Sequence, residues 1–234
     1  MRIDFHTHIL PKIDDGASDT SVSLEMLQSL KEQQVQSVVL TPHYYSHRLS
    51  IPDFLENRKH AVKDFTSVVS GDLPDLYLGA EVYFSDYLFN NQDLTPLCIH
   101  GTRTMLLEFP YNRSIDSRMI DKVDRLAGEY AITPVIAHVE RYSSLIHSTH
   151  SLERLLQIGC VLQVNTTSFR SFGKRRLFSL LENGYIGALG TDCHNMTSRP
   201  PCYDSEYRIL EKKVSPEALE ALERSMISLL TQTK

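Results

Sequence analysis

The chain has no run of lysine and arginine, and its net charge of −5 is thin over 234 residues. That excludes the electrostatic footprint of a nucleic-acid binder or of a protein held on an anionic membrane. An anionic substrate must instead be gripped by a few placed cations or by metal. No segment approaches the roughly 18 consecutive apolar residues that a spanning helix needs. The opening residues, MRIDFHTHIL, are too polar for the apolar core of a secretory signal. The four cysteines, Cys98, Cys160, Cys193 and Cys202, form no CxxC pair. Without an export signal they are expected to be reduced thiols in a cytoplasm, packed as small hydrophobes. Also missing are tandem repeats, low-complexity tracts and any Pro/Gly-rich linker.

What is present reads as soluble and globular, with 41% hydrophobic and 23% charged residues. One domain over residues 1–234 is the simplest organisation, and its length suffices for a real core. Short β-branched runs predict strands at 2–6, 37–41, 76–80, 104–109, 134–138, 161–165 and 186–190. Between them, helical spacing predicts helices from Asp19 to Gln34 and over 53–69, 115–130, 151–158 and 173–183. Ser215-Pro216-Glu217 opens a last helix, about 216–231, with Leu219, Leu222, Met226 and Leu229 on one stripe. Alternating strands and helices predict a parallel α/β fold. A closed barrel and an open doubly wound sheet both fit that pattern.

The residues that follow the strands carry the chemical information. Strand one runs into His6 and His8, strand two into His43 and strand three into Glu81. Strand four delivers Glu108, strand five His138, and strand seven Asp192 and His194. The carboxyl ends of parallel strands are where barrel enzymes assemble their active sites. Residues two apart share a strand face, so Asp4, His6 and His8 point one way and Phe5 and Thr7 the other. Asp14-Asp15-Gly16 adds a carboxylate beside a glycine that permits a tight turn. A single histidine or glutamate at a strand end is usually a loop residue. Here five of the ten histidines fall at strand ends, in a set made only of imidazole and carboxylate. That donor mix suits manganese, iron, zinc or magnesium rather than thiolate-bound structural zinc. His47, His60, His100, His147 and His150 are left as surface residues.

DFHTHILPKIDDG, TPHYY, GAEVYF, LLEFP, IAHVERY and GTDCHNMTSRP together resemble the PHP (polymerase and histidinol phosphatase) superfamily. The resemblance is closest to its bacterial tyrosine-phosphatase branch linked to capsule and exopolysaccharide synthesis, and it runs from about residue 1 to 201. It implies a single distorted (β/α)7 TIM-like barrel with an extra C-terminal helix. It also implies three divalent metal ions, typically manganese. Carried over by motif, the ligands are His6, His8, Asp15, His43, Glu81, Glu108, His138, Asp192 and His194, with Glu81 bridging two ions. Arg141 and Arg199 resemble the phosphate-contacting arginines, although a surface ion pair is the plainer role for either. Lys12 stands where the family often has glycine, Val139 replaces proline, and Thr191 and Cys193 flank Asp192 in place of serine and alanine.

The expected function is therefore metal-dependent hydrolysis of phosphotyrosine by a metal-bound hydroxide, releasing inorganic phosphate. The expected substrate is a tyrosine-phosphorylated protein, in particular the tail of a bacterial tyrosine kinase. Tyr44, Tyr45, Tyr83, Phe84, Phe109, Tyr111 and Tyr142 lie near the rim and would flank an aryl phosphate. The alternative enzyme is a phosphoesterase of the same superfamily acting on a small molecule such as histidinol phosphate. A catalytically silent partner of a polysaccharide-assembly complex is the alternative outside enzymes. Cys193 to Arg199 also fits C-x5-R, the spacing of thiolate phosphatases. Its intervening residues contain no glycine, however, and Pro200-Pro201 follow. Strand alternation turns Cys193 away from the metal face.

Overall fold

Strand β1 (Ile3–Thr7) is buried along its whole length, and so are β2 (Ser37–Leu40) and β6 (Thr104–Glu108). Burial on both faces is why β2 and β6 are almost continuously apolar, whereas β1 alternates, burying Asp4 and His6 on one face and Ile3 and Phe5 on the other. The computed structural model describes residues 1–69, 71–111, 113–170 and 174–231. After β1 come α1 (Thr20–Glu32), β2, β3 (His43–Tyr44), α2 (Ile51–Thr66), β4 (Asp75–Leu78), β5 (Glu81–Tyr83) and β6. The chain continues through α3 (Ser117–Tyr130), β7 (Thr133–Ile136), α4 (Ser143–Ile146), α5 (Thr149–Ile158) and β8 (Val161–Asn165). It ends with α6 (Lys174–Glu182), β9 (Ile186–Gly190), α7 (Asp204–Lys213) and α8 (Pro216–Thr231). Gly173, the expected first residue of α6, lies outside the described residues.

Every strand pairing is parallel. The strands form two sheets, ordered β1-β2-β4 and β3-β5-β6-β7-β8-β9, so the single closed sheet of a (β/α)7 barrel is not what is seen. Two chain breaks account for the difference. The expected second strand stops at Leu40, before Thr41-Pro42, and the expected third stops at Leu78, before Gly79-Ala80. Pro42 has no N–H to donate to a ladder. At the break the Thr41 side chain substitutes for backbone, accepting from Thr7 N at 3.0 Å and donating to Thr7 O at 3.1 Å. Each chain then resumes as a short new strand, β3 or β5, aligned so that His43 is paired with Glu81. Counting β2 with β3 and β4 with β5 gives the seven strand positions expected. At the far edge, just beyond β9, Asp192 N donates to His6 O at 2.8 Å and His8 N donates to Cys193 O at 3.0 Å.

Helix α1 starts where expected because the Asp19 carboxylate caps it, accepting from Ser21 N and Val22 N. Helix α8 buries Leu222, Met226, Leu229 and Leu230, while Leu219 is only half-buried. It packs over β9 and β1. Helix α7 was not foreseen. It carries Asp204 and Glu206 in its first turn and Lys212 and Lys213 in its last, matching the helix dipole. Its buried Glu206 is met by Arg170 at 2.9 Å. The buried apolar side chains form one cluster, above whose strand ends the polar residues collect.

Candidate metal centre

Glu81, at the start of β5, is 1% exposed and lies at the hub. Its Oε2 is 3.1 Å from His6 Nε2, 3.2 Å from His8 Nε2 and 3.0 Å from His43 Nδ1. Its Oε1 is 2.9 Å from His138 Nε2, and Glu108 Oε1 is 3.8 Å from that same nitrogen. On the outer side, Asp15 Oδ1 is 3.4 Å from both His43 Nε2 and His194 Nε2. Asp192 Oδ1 is 3.6 Å from His6 Nε2 and 3.5 Å from His8 Nε2. All nine residues expected at the metal site therefore converge. Three sets draw their donor atoms tightest, namely His8/Asp15/His43/His194, His6/His8/Glu81 and His43/Glu81/Glu108.

A divalent ion fits these residues on physical grounds. Glu81 Oε2, His43 Nδ1 and His194 Nε2 are buried and make no well-aligned hydrogen bond, close as the first two lie to each other. One buried unsatisfied group costs about 1–3 kcal/mol, so three at one place point to a missing bridging charge. His6 Nε2 and His8 Nε2 face each other at 3.1 Å, close enough to share one cation. Burial and the neighbouring Glu81 charge push the Glu108 carboxyl up to about 7, which marks an excess of buried negative charge. Burial, with His8 and Arg199 nearby, pushes His194 down to about 4, leaving it neutral and able to ligate at pH 7.

The supporting contacts fix how these groups face. Asp14, rather than Asp15, accepts from His8 Nδ1 at 2.7 Å and from His43 N at 3.0 Å. The Nδ1 proton of His8 is thereby anchored and its Nε2 turned inward, the usual arrangement behind a ligating histidine. Gly16 is required there by space, since a Cβ would fall 2.2 Å from His8 O and 2.9 Å from Asp14 Oδ1. His138 and Asp192 both have left-handed backbone, with φ of 32° and 55°. Non-glycine residues hold such angles only where the surroundings enforce them.

Sequence reasoning missed the contribution of β8. Gln163 Oε1 accepts from His138 N at 2.7 Å and lies 3.3 Å from His6 Nδ1. Gln163 Nε2 donates to Asn165 Oδ1 at 3.0 Å, and Asn165 Nδ2 donates to Asp192 Oδ2 at 2.9 Å. The available signal was two amides, two residues apart, on an otherwise apolar strand. Asn195 was also missed. Its side-chain oxygen accepts from the backbone N–H groups of Thr197, Ser198 and Arg199 and shapes that loop.

Arg141 and Arg199 stand at the mouth, and both are paired with Asp192, Arg199 at 2.6 Å. Arg141 also donates to Tyr111 Oη at 2.8 Å. Of the aromatic residues expected at the rim, Tyr44, Phe84, Phe109 and Tyr142 are buried core instead. Tyr45, Tyr83 and Tyr111 are the ones that reach the surface. Tyr45 lies against His43, ring centroids 5.4 Å apart, and against Tyr83 at 5.5 Å. A cavity of about 510 Å³ lined by Asp15, His43 and Tyr45 flanks the cluster, and another of about 310 Å³ is lined by Tyr111 and Arg141. Cys193 is fully buried beside Asp4, and burial pushes its thiol well above the ordinary range.

Parallel strands with imidazole and carboxylate gathered beyond their carboxyl ends define a class, α/β proteins with a polar centre suited to divalent ions. Residues 2–227 match the family described as capsular polysaccharide synthesis, CpsB/CapC, and the chain belongs to that family. A Streptococcus pneumoniae protein named tyrosine-protein phosphatase CpsB is 30% identical over 232 residues, covering 94% of each chain. Tyrosine-protein phosphatase YwqE of Bacillus subtilis is 29% identical over 235 residues, covering 92% of this chain and 86% of its own. A solved structure described among YwqE and CpsB, "unique metal-dependent tyrosine phosphatases", superposes with a TM-score of 0.79 at 24% identity. It covers 99% of this chain and 95% of that one, which establishes the shared fold.

Proposed function

We propose that this chain is a metal-dependent tyrosine phosphatase that releases inorganic phosphate from a tyrosine-phosphorylated protein, the tail of a bacterial tyrosine kinase in particular. The observation that carries the reading is the set of buried donor atoms on Glu81, His43 and His194 that make no well-aligned hydrogen bond, flanked by two guanidinium groups. The names of the relatives support the choice of phosphotyrosine.

His6, His8, Asp15, His43, Glu81, Glu108, His138, Asp192 and His194 would hold three divalent ions, manganese foremost, with iron, zinc or magnesium as alternatives. Bound there, such ions supply the positive charge that acidifies water and neutralises phosphoryl oxygens. Glu81 places its two oxygens toward different histidines, as a bridging carboxylate must. Arg141 and Arg199 present planar donors that match phosphate geometry, and Asp192 keeps both oriented while leaving N–H groups free. Tyr45, Tyr83 and Tyr111 offer ring faces to the aryl group. Water adds across the phosphorus–oxygen bond, and the tyrosine departs as a phenolate of ordinary pKa about 10, which needs little help from an acid. The strand positions act as a barrel-like ring in one domain, holding ligands from distant parts of the chain in register.

The test is turnover of a phosphotyrosyl peptide by purified protein whose metal content is measured on the same sample. We expect chelation to abolish activity and a divalent ion to restore it. Activity on histidinol phosphate but not on phosphopeptide would transfer the reading to a small-molecule phosphoesterase. Retained activity after exhaustive chelation would end it.

A further inference from the structure

Beside the cluster, a groove of about 450 Å³ runs from Tyr83 and Pro110 to the start of α3. Arg113 and Ser114 line both this groove and the cavity that contains Tyr111 and Arg141, so the two adjoin. Arg113, Arg118 and Lys122 are its cations, and Asp86 and Asp116 its anions. Lys122 is matched by Asp86 at 2.5 Å. Asp116 is engaged as the cap of α3, accepting from Met119 N at 3.0 Å. Arg113 and Arg118 are exposed, and among the described residues neither side chain has an ion-pair partner. Two guanidinium groups without an ion-pair partner among the described residues therefore line a groove that adjoins the mouth, in a chain whose overall charge is negative.

We propose that this groove receives an anionic side chain, carboxylate or phosphate, carried by the substrate chain within a few residues of its phosphotyrosine. Arg113 and Arg118 would select it. The inference rests on the phosphotyrosine reading above and adds to it which phosphopeptides are preferred. Guanidinium groups pair with either anion through two parallel N–H donors. Two exposed pairs of this kind add modest affinity, sensitive to salt. The contribution should fall on KM, because the groove touches no reacting atom.

The experiment uses the metal-loaded protein and phosphotyrosyl peptides that differ only two or three residues from the phosphotyrosine. Alanine, glutamate, a second phosphorylated residue or lysine is placed there, and p-nitrophenyl phosphate is run alongside. For wild type at low salt we expect kcat/KM to favour the glutamate or phosphorylated peptide over the lysine peptide by roughly 5- to 30-fold, mostly through KM. The carboxylate and phosphate arms show which anion is preferred. The Arg113→Ala/Arg118→Ala variant should bring that ratio to within about 2-fold while p-nitrophenyl phosphate turnover is unchanged, and Arg113→Glu/Arg118→Glu should reverse the preference. An indifferent wild type, a preference that survives both variants, or equal loss on p-nitrophenyl phosphate would overturn the inference alone. No turnover of any aryl phosphate by wild type would bring down the phosphatase reading and the inference with it.

Discussion

At the scale of single residues, the structure separates groups that look interchangeable in sequence. Asp14 and Asp15 are neighbours, yet Asp14 anchors His8 while Asp15 faces His43 and His194. Asp14→Ala should therefore leave the ligands in place and lower metal affinity or activity by about 10- to 100-fold, whereas Glu81→Ala should be worse on both counts. A metal titration of each variant checks the order. Cys193→Ser should turn over within a few-fold of wild type, because the thiol is buried beside Asp4 and away from the mouth. Arg199→Ala should lose roughly 10- to 150-fold, the range of a hydrogen bond to a charged group. An inactive Cys193→Ser protein that is folded and fully metallated would sink the metal account. Lys12 has φ of 57°, a left-handed angle that glycine adopts freely. Lys12→Gly should then gain up to about 1 kcal/mol of stability, the relieved strain of about 1–2 less the flexibility glycine adds. Urea midpoints give the answer.

Elements show how much of this was legible in the sequence. Strands β8 and β9 fall where the β-branched runs predict them, because burial on both faces leaves little ambiguity. Eight of the nine clustered residues could be read because each ends a strand or follows one closely, where side chains of many strands meet, whereas Asp15 was picked over Asp14 only by the family resemblance. The broken strands were not legible, since Thr41-Pro42 and Gly79-Ala80 sit in runs that look continuous and only pairing reveals the interruption. Helix α7 was missed because its buried Glu206 disrupts the apolar stripe. The β8 amides were missed for a different reason: they touch backbone and neighbouring side chains, and no spacing rule announces that. In the turn after β7, Glu140 Oε1 accepts from Asn165 N and Ser168 Oγ, while Oε2 is buried and unpartnered. Burial pushes its carboxyl from 4.5 up to about 7. Between those values the unfolded chain has lost a proton that the folded chain keeps, so stability falls as pH rises through the window and levels above it. Glu140→Gln should remove that fall. Comparing denaturation at pH 5 and pH 7, wild type should lose about 2 kcal/mol more than the variant.

For the molecule as a whole, the nine clustered residues come from both sheets and from the seam between β1 and β9, so metal binding and global folding are coupled. At a free ion concentration about 100 times its Kd, binding should add about 2.7 kcal/mol, which for a domain of this size raises Tm by roughly 5–10 °C. A calorimetric scan with and without chelator should show one transition that moves. Two transitions, or one indifferent to chelation, would contradict a single metal-coupled domain.

The seam also sets a timetable for the protein's making. His6 and His8 are made long before the backbone that braces them, which belongs to Asp192 and Cys193, far along the chain. At about 5–20 residues per second, roughly 10–40 s separate the first histidines from His194. Throughout that interval His8 can lean on nearby Asp14, but the brace from Asp192 and Cys193 is not yet made. A polypeptide that stalls before Ile186 lacks both Asp192 and His194, so it cannot form the complete centre. Assembly of the whole cluster thus waits until the chain has been made past His194.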